Sequence, residues 1–270
     1  VEELIIFCSK GKNSGDGFLL GSYAKEFGLD VTVVMSSAAK ELEGVSNKAF
    51  KEMQNSKVKT ITAKSIAKLK VSDKAVIVDA LIGTGLKGNL RKNIKDSILA
   101  LNKLGLKSPV VSLDIPSGVN PDTGGINDIC VYADITATFV AQKRGCFTST
   151  GKKVSGEVIY SDLEIPKRIF SKVASSSCIV DYEKAISEVV YREQDAHKGD
   201  FGHVLVIGGD RGMGGAGLLA SKAAVHSGAG LTSLVTRPEH VTASLVSCPE
   251  VMAKGVNSGE LTKKETKNLA

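Results

Sequence analysis

The sequence has no apolar run approaching the roughly 18 uninterrupted residues of a membrane-spanning helix. Residues 1–10 also lack the charged-then-apolar order of a signal peptide. We therefore expect a soluble chain with no membrane partner. Basic residues exceed acidic ones by only 35 to 29, and the net charge of +6 is spread along the chain. This mild surface bias, without a basic tail, predicts no nucleic-acid partner.

Close cysteine pairs and histidine metal motifs are also missing. The five cysteines are scattered and odd in number, which argues against a disulfide framework and favours a reducing cytoplasm. The four histidines form no HExxH pattern and have no cysteine at ligand spacing. The sequence therefore indicates no transition-metal site.

What the chain does have is a regular alternation of short apolar runs and helical stretches. Apolar residues make up 42% of its 270 positions, enough for a sizeable core. The predicted strands are Leu4–Phe7, Val31–Met35, Ala75–Val78, Val110–Leu113 and Ile135–Val140, and the predicted helices are Phe18–Glu26, Val45–Met53, Ser65–Leu69 and Lys92–Lys103. Strands that are apolar on both faces and separated by helices predict an α/β fold with a doubly wound parallel sheet.

A second α/β unit is predicted to begin after a basic and serine-rich stretch. We expect a first domain over 1–170, a linker over 171–185 and a second domain over 186–270. The second domain is predicted to start with a strand over Val204–Ile207, a helix over Ala216–His226 and a strand over Leu231–Val235. We interpret both ends as truncated, with a first helix missing and the second domain incomplete.

Three glycine-rich or acidic runs follow predicted strands of the first domain. They are GKNSGDG at 11–17, DALIGTGLKG at 79–88 and DIPSG at 114–118. Glycines let a ligand approach the backbone, and a following helix offers free N–H groups to a phosphate. Because carboxyl ends of parallel strands share one edge, the runs predict a common site. The alternative is that each run is only a tight turn or a helix cap.

The side chains in these runs suit a hard cation. Asparagine, serine and aspartate oxygens together with backbone carbonyls are typical ligands of such ions. The low number of carboxylates favours a monovalent ion or hydrated Mg²⁺ over a tight Ca²⁺ cage.

The three runs, together with ATF at 137–139 and Lys143, resemble the NAD(P)H-hydrate epimerase domain in order and spacing over about residues 3–166. The resemblance implies a Rossmann-like fold that interconverts the R and S forms of C6-hydrated NADH or NADPH. It implies a potassium site at Asn13, Asp79 and Ser117. It implies substrate contacts at Lys12, Asn13, Ser14, Gly15, Asp16, Gly83, Thr84, Gly85, Leu86, Lys87, Gly88, Asn89 and Asp114.

Asp114 is the residue that we expect to perform the proton transfers, with Lys143 assisting through its charge. One departure concerns the first run, which in this family usually reads Asn-Asn-Gly-Gly-Asp. Lys12 and Ser14 stand at its first and third positions. Ser14 gives up the access of glycine to positive φ, and Lys12 either pairs with a cofactor phosphate or disturbs the cation.

The second domain carries the runs HKGDFG at 197–202 and GGDRGMGGAGLLA at 208–220. Gly212, Gly214 and Gly217 satisfy GxGxxG, so an NADP-binding oxidoreductase is one alternative. With SGAGL at 227–231 and CPEVM at 248–252, these runs resemble ADP-dependent NAD(P)H-hydrate dehydratase. That resemblance implies the opening of a ribokinase-like α/β domain, dehydration of the S hydrate with ADP or ATP and Mg²⁺, and substrate contacts at Gly215 and Ala216.

No counterpart of the dehydratase's later phosphate segment and catalytic aspartate precedes Ala270, so we expect no dehydration by this chain alone. His197, Lys198 and His203 are interpreted as capping or solvated side chains rather than catalytic ones. For the first domain, a non-catalytic scaffold that keeps the epimerase-like fold is the second functional hypothesis. We also expect a homo-oligomer.

Overall fold

Within the described residues, the larger of two sheets contains seven parallel strands. The computed structural model describes residues 1–85, 88–173, 175, 177–189 and 191–257. The strands are β1 (Glu3–Cys8), β2 (Asp30–Met35), β3 (Lys59–Thr62), β4 (Ala75–Ala80), β5 (Val110–Leu113), β6 (Ile135–Phe139) and β7 (Glu157–Ser161). Their order is β3-β2-β1-β4-β5-β6-β7. The predicted α/β fold with a parallel sheet is confirmed.

Helices cover both faces of this sheet. The helices that follow its strands are α1 (Lys12–Glu26), α2 (Gly44–Asn55), α3 (Lys92–Gly105), α4 (Ser149–Val154) and α5 (Lys167–Phe170). Alternate residues of β1 point to opposite faces. Leu4 and Ile6 pack in the core that includes α1 and α2, whereas Ile5 and Phe7 pack in the core that includes α3. Every residue of β1 is therefore buried, as the continuous apolar run predicts.

The prediction missed the two edge strands of this sheet. β3 reads KTIT and β7 reads EVIYS, and most of their residues are exposed, so neither shows a buried apolar run. The helix predicted at Ser65–Leu69 is a 3₁₀ helix over Ala63–Lys68. The helix predicted from Phe18 begins at Lys12, which changes the interpretation of the first glycine-rich run.

The chain divides into two compact units, Val1–Cys178 and Ile179–Ala270. The second unit contains α6 (Tyr182–Ser187), β8 (His203–Ile207), α7 (Gly215–His226), β9 (Leu231–Thr236), α8 (Pro238–Ser247) and β10 (Met252–Gly255). Its strands form a parallel sheet in the order β10-β9-β8. α6 begins inside the segment predicted as a linker. Among the described residues, no helix has the length and apolarity needed to cross a bilayer.

Candidate active site

The three runs of the first unit meet at the point where the direction of the sheet reverses. β1 and β4 are neighbours, and the chain runs outward from β1 to β2 on one side and from β4 to β5 on the other. Clefts at such switch points are where open α/β sheets bind ligands. α1 follows β1, Asp79 lies near the end of β4, and Asp114 directly follows β5. The structure thus brings together the residues that the sequence placed at one edge.

The first run forms the first turn of α1 rather than a loop. Gly11 precedes the helix without a side-chain cap, so no side chain of the cap residue accepts from the first N–H groups of the helix. Gly17 allows the helix to lie close to the sheet, because a Cβ there would stand 2.5 Å from the Cβ of Ala80. The helix therefore presents residues 12–16 at the switch point.

Ser14 joins the ends of β1 and β4. Its hydroxyl accepts a hydrogen bond from the Ser9 N–H at 2.7 Å and donates one to the Ala80 carbonyl at 2.7 Å. Ser14 lies in the helix and is not among the residues with positive φ. The access of glycine to positive φ is therefore not used at this position, since a helical residue has negative φ.

Asp79 is the buried polar centre of the site. One carboxylate oxygen accepts from the Leu81 N–H at 3.2 Å and the Ser117 hydroxyl at 2.6 Å, and the other from the Ser117 N–H at 2.8 Å and the Ser112 hydroxyl at 2.9 Å. Burial raises the pKa of Asp79, and these hydrogen bonds oppose that rise. Asp79 and Ser117 thus hold the ends of β4 and β5 together.

Asn13 has an oxygen with no partner. Its Nδ2 donates to the Leu113 carbonyl at 3.1 Å, while the buried Oδ1 accepts no hydrogen bond from the described residues. A buried acceptor without a partner is unfavourable, and a cation would satisfy it. No group of three or more His, Cys, Asp or Glu able to hold a metal ion occurs in the described ranges. The oxygen ligands available here are mostly neutral, with the carboxylate of Asp79 as the charged one, and such a set suits a cation of low charge.

Asp114 and Lys143 form the main ion pair of the cleft. The Lys143 ammonium contacts the Asp114 carboxylate and also donates to the Phe139 carbonyl at 2.6 Å. Only 17% of the Asp114 side chain and 14% of that of Lys143 are exposed. Asp114 has φ +70°, an uncommon conformation outside glycine, and its N–H donates to the Ala137 carbonyl. The backbone and Lys143 together hold the carboxylate in place.

Two adjoining cavities share Lys12, Asp16, Thr84 and Asp114 in their walls. Lobe 1, of about 510 Å³, is completed by Lys143 and by apolar residues that include Phe139 and Leu163. Lobe 2, of about 630 Å³, is completed by the glycine-rich segment after β4 and by two further cations, Lys10 and Arg91. The cleft is therefore elongated, with Asp114 where the lobes meet.

The second run lines lobe 2 and reaches lobe 1 through Thr84. A Cβ on Gly83 would come 3.1 Å from Asp114 Oδ2 and 3.3 Å from Asn13 Cβ, so glycine lets these side chains approach its backbone. Gly83, Thr84, Gly85 and Asn89 line lobe 2 and Gly88 follows nearby in sequence, while Leu86 and Lys87 fall outside the described residues.

Several residues that line the cleft were not predicted from the sequence. Lys10 and Arg91 flank the two glycine-rich runs, and their charge was an available signal. Val140 and Leu163, with φ of +66° and +53°, reach lobe 1 through backbone conformations that no local pattern indicates.

In the second unit, Gly215 and Ala216 begin α7 directly after the glycine-rich run. Within that run, the Asp210 carboxylate accepts from Arg237 Nε at 2.8 Å. The capping interpretation of His197 is confirmed, because its ring nitrogen accepts from the Gly199 N–H at the start of a short 3₁₀ helix. The ring of His203 instead lies 2.8 Å from the Ser233 hydroxyl.

Two sequence families match this chain. The family described as YjeF-related protein N-terminus matches residues 1–145, and the family described as NAD(P)H-hydrate dehydratase matches residues 204–270. The two matches fall in the first and second compact units, respectively.

Several curated relatives are named bifunctional NAD(P)H-hydrate repair enzymes. The relative from Coxiella burnetii is 38% identical over 96% of this chain and 52% of its own length. The relative from Leishmania infantum is 36% identical over 94% of this chain and 46% of its own length. The relative from Escherichia coli is 32% identical over 96% of this chain and 49% of its own length. The chain thus spans about half the length of these relatives. The crystal structure of yeast ynu0 matches with a TM-score of 0.53 at 20% identity, over 65% of this chain and 74% of that one, which supports the fold.

Proposed function

Because the chain belongs to the family of the YjeF-related protein N-terminus, we propose that its first unit is an NAD(P)H-hydrate epimerase in nicotinamide cofactor repair. Its substrates are the R and S forms of NADH or NADPH hydrated at C6. The names of the curated relatives support this substrate class. The observation that carries the proposal is the Asp114–Lys143 pair at the junction of the two lobes.

The chemistry of the hydrate explains the need for a positioned carboxyl group. The hydroxyl is on a carbon next to the ring nitrogen, so the nitrogen lone pair expels it and water returns from the other face. The departing oxygen takes up a proton and the returning water gives one away. Asp114 is placed to take part in such transfers, and the ion pair with Lys143 holds its carboxylate in position.

We assign a potassium ion to Asn13, Asp79 and Ser117. The unpartnered oxygen of Asn13 supports this assignment. The ion supplies a fixed positive charge beside the cleft. Asn13 would offer its amide oxygen, Ser117 its hydroxyl oxygen and Asp79 the only carboxylate.

The phosphates of the dinucleotide are assigned to the cationic end of lobe 2. Lys12 and Arg91 line it without an ion-pair partner in the described part of the chain, whereas Lys10 pairs with Glu41 at 3.5 Å. The free N–H groups at the start of α1 add to this field. The remaining substrate contacts are assigned to residues 12–16 and 83–89.

For the second unit we propose part of an ADP- or ATP-dependent hydrate dehydratase that uses Mg²⁺, with Gly215 and Ala216 contacting substrate. The GxGxxG residues lie inside the segment that matches the dehydratase family, which favours this function over an NADP-binding oxidoreductase. A cytoplasmic location is consistent with five free cysteines. Light scattering tests the predicted homo-oligomer.

A coupled assay tests the epimerase. The chain is mixed with (R)-hydrated NADH, a separate intact dehydratase and ATP, and NADH absorbance is followed with and without potassium. We expect complete recovery that is faster with potassium. Asp114→Ala should lower the rate by about 10²–10⁴-fold, the usual contribution of a proton-transfer group.

Asp122→Ala is the matched control, because Asp122 is exposed and lines neither lobe. It should keep the native rate. Recovery at the uncatalysed rate by the native chain contradicts the epimerase proposal and favours the scaffold. Full activity of Asp114→Ala contradicts only the role assigned to Asp114 and leaves the epimerase proposal standing.

A further inference from the structure

The stereochemistry of the proposed epimerisation requires two proton-transfer groups. The two epimers carry the hydroxyl on opposite faces of one carbon. Asp114 is held by Lys143 and by its own backbone, so its carboxylate reaches one face of a bound ring. A second group must therefore act on the other face.

Few ionisable groups in the two lobes meet that need. Lys143 is held against Asp114 and the Phe139 carbonyl, so it lies on the same side as Asp114. Lys10 is paired with Glu41, and Arg91 stays protonated in proteins. Lys12 is assigned above to the phosphates of the dinucleotide.

Asp16 is the remaining group. It is the fifth residue of α1, whereas Asp114 follows β5, so the two carboxyl groups approach the cleft from different elements. Both line both lobes. Unlike Asp114, Asp16 has no hydrogen-bond or ion-pair partner within the described residues.

The electrostatics of Asp16 also differ from those of Asp114. Loss of water on its protein side, together with the negative charge of Asp114, raises the pKa of Asp16. The charge of Asp114 therefore acts on Asp16, and Lys143 forms an ion pair only with Asp114 among the described residues. Paired carboxyl groups in unlike environments take acid and base roles in many enzymes.

We propose that Asp16 is a second catalytic residue, which exchanges protons with substrate on the ring face opposite Asp114; this rests on the proposed epimerase function. For one epimer, Asp16 donates its proton to the departing hydroxyl. The C6–O bond breaks, and the nitrogen lone pair forms a C=N bond. Water then attacks C6 from the other face, the C=N electrons return to nitrogen, and the Asp114 carboxylate takes the proton released by that water.

The reverse reaction uses the same groups with their roles exchanged. One turnover moves one proton from Asp16 to Asp114. Exchange with solvent through exposed Asp16, or turnover in the opposite direction, restores the starting state. Atoms and charge balance without an additional reactant.

Asp16→Asn tests the proposal, with epimerisation measured in both directions on the complete chain. We expect kcat to fall by about 100-fold or more in each direction, while KM changes less than about threefold. Asp16→Glu should recover part of the rate. Formate should partly restore Asp16→Ala, which a purely structural role of Asp16 would not allow. Asp122→Asn, at an exposed position outside both lobes, is the matched control.

A native kcat in Asp16→Asn overturns the catalytic role, and so does a rise in KM with no loss of kcat. Circular dichroism of each variant checks that α1 is intact. If the native chain itself does not epimerise the hydrate, the proposed function has failed. If the native chain is active and Asp16→Asn matches it, only the present inference has failed.

Discussion

The two parallel sheets of this protein start from similar sequence patterns but differ in burial. β1 and β8 are both short apolar strands followed by a glycine-rich run. Every residue of β1 is buried between helices on its two faces, whereas Val204 and Ile207 of β8 are 40% and 57% exposed. The comparison shows that an apolar run predicts a strand, while neighbouring elements decide how much of it is buried.

The largest difference should appear on truncation of isoleucine in each unit. Ile98 of α3 is fully buried in the core against the large sheet, and Ile207 lies mostly in solvent. Ile98→Ala should destabilise the first unit by about 3 kcal/mol because it leaves a cavity. Ile207→Ala should change the second unit by less than about 0.5 kcal/mol. Urea unfolding, monitored in each unit by hydrogen exchange, measures the two changes in stability. Equal losses of stability in the two variants would refute the difference in burial.

Asp79→Asn should destabilise the first unit alone. Each Asp79 oxygen accepts one backbone N–H, from Leu81 or from Ser117. Whichever way an asparagine amide turns, its NH₂ group faces one of these donors, and we expect a loss of about 2 kcal/mol. Hydrogen exchange should accelerate in β4 and β5 and remain unchanged in β8 and β9. Unchanged exchange in β4 and β5 is the contrary result.

The labelling rates of two buried cysteine thiols allow the two units to be compared without any mutation. Cys8 lies in β1 and Cys248 in the small apolar cluster of the second unit. Burial, with the charge of Asp79, raises the pKa of the Cys8 thiol, so it reacts only after the sheet opens. Iodoacetamide should label Cys248 at least about tenfold faster than Cys8, a difference of about 1.4 kcal/mol. Exposed Cys178 serves as the rapid reference, and faster labelling of Cys8 would reverse the comparison.

The smallest effect is expected for Ser14→Gly. This change removes the hydroxyl that bridges β1 and β4, leaving the Ser9 N–H and the Ala80 carbonyl without it. We expect a loss of about 1 kcal/mol in the first unit, measured by the urea midpoint. Ser22→Gly in the same helix is the control, because the Ser22 hydroxyl has no partner in the described residues. An equal loss in both variants would assign the effect to the helix alone.

Much of the fold was predictable because its signals are local. β5 was predicted with the bounds that the structure has, and the predicted positions of Asp79 and Asp114 at strand ends are confirmed. β3 and β7 were missed because edge strands need no continuous apolar run. The start of α1 was missed because glycines at 15 and 17 are typical of a loop. In the structure they lie in a helix, where Gly15 packs against Ser46 of α2 and Gly17 against the sheet.

By itself, the sequence determined the alternation of strands and helices, the glycine-rich turns and the acidic residues at the strand ends. These features follow from side-chain periodicity and backbone preferences over a few residues. Only the tertiary structure decided that Lys143 holds Asp114, that the oxygen of Asn13 lacks a partner and that Asp16 shares both lobes with Asp114. The reason is that such relations join residues far apart in the chain, and the order of the strands brings them together.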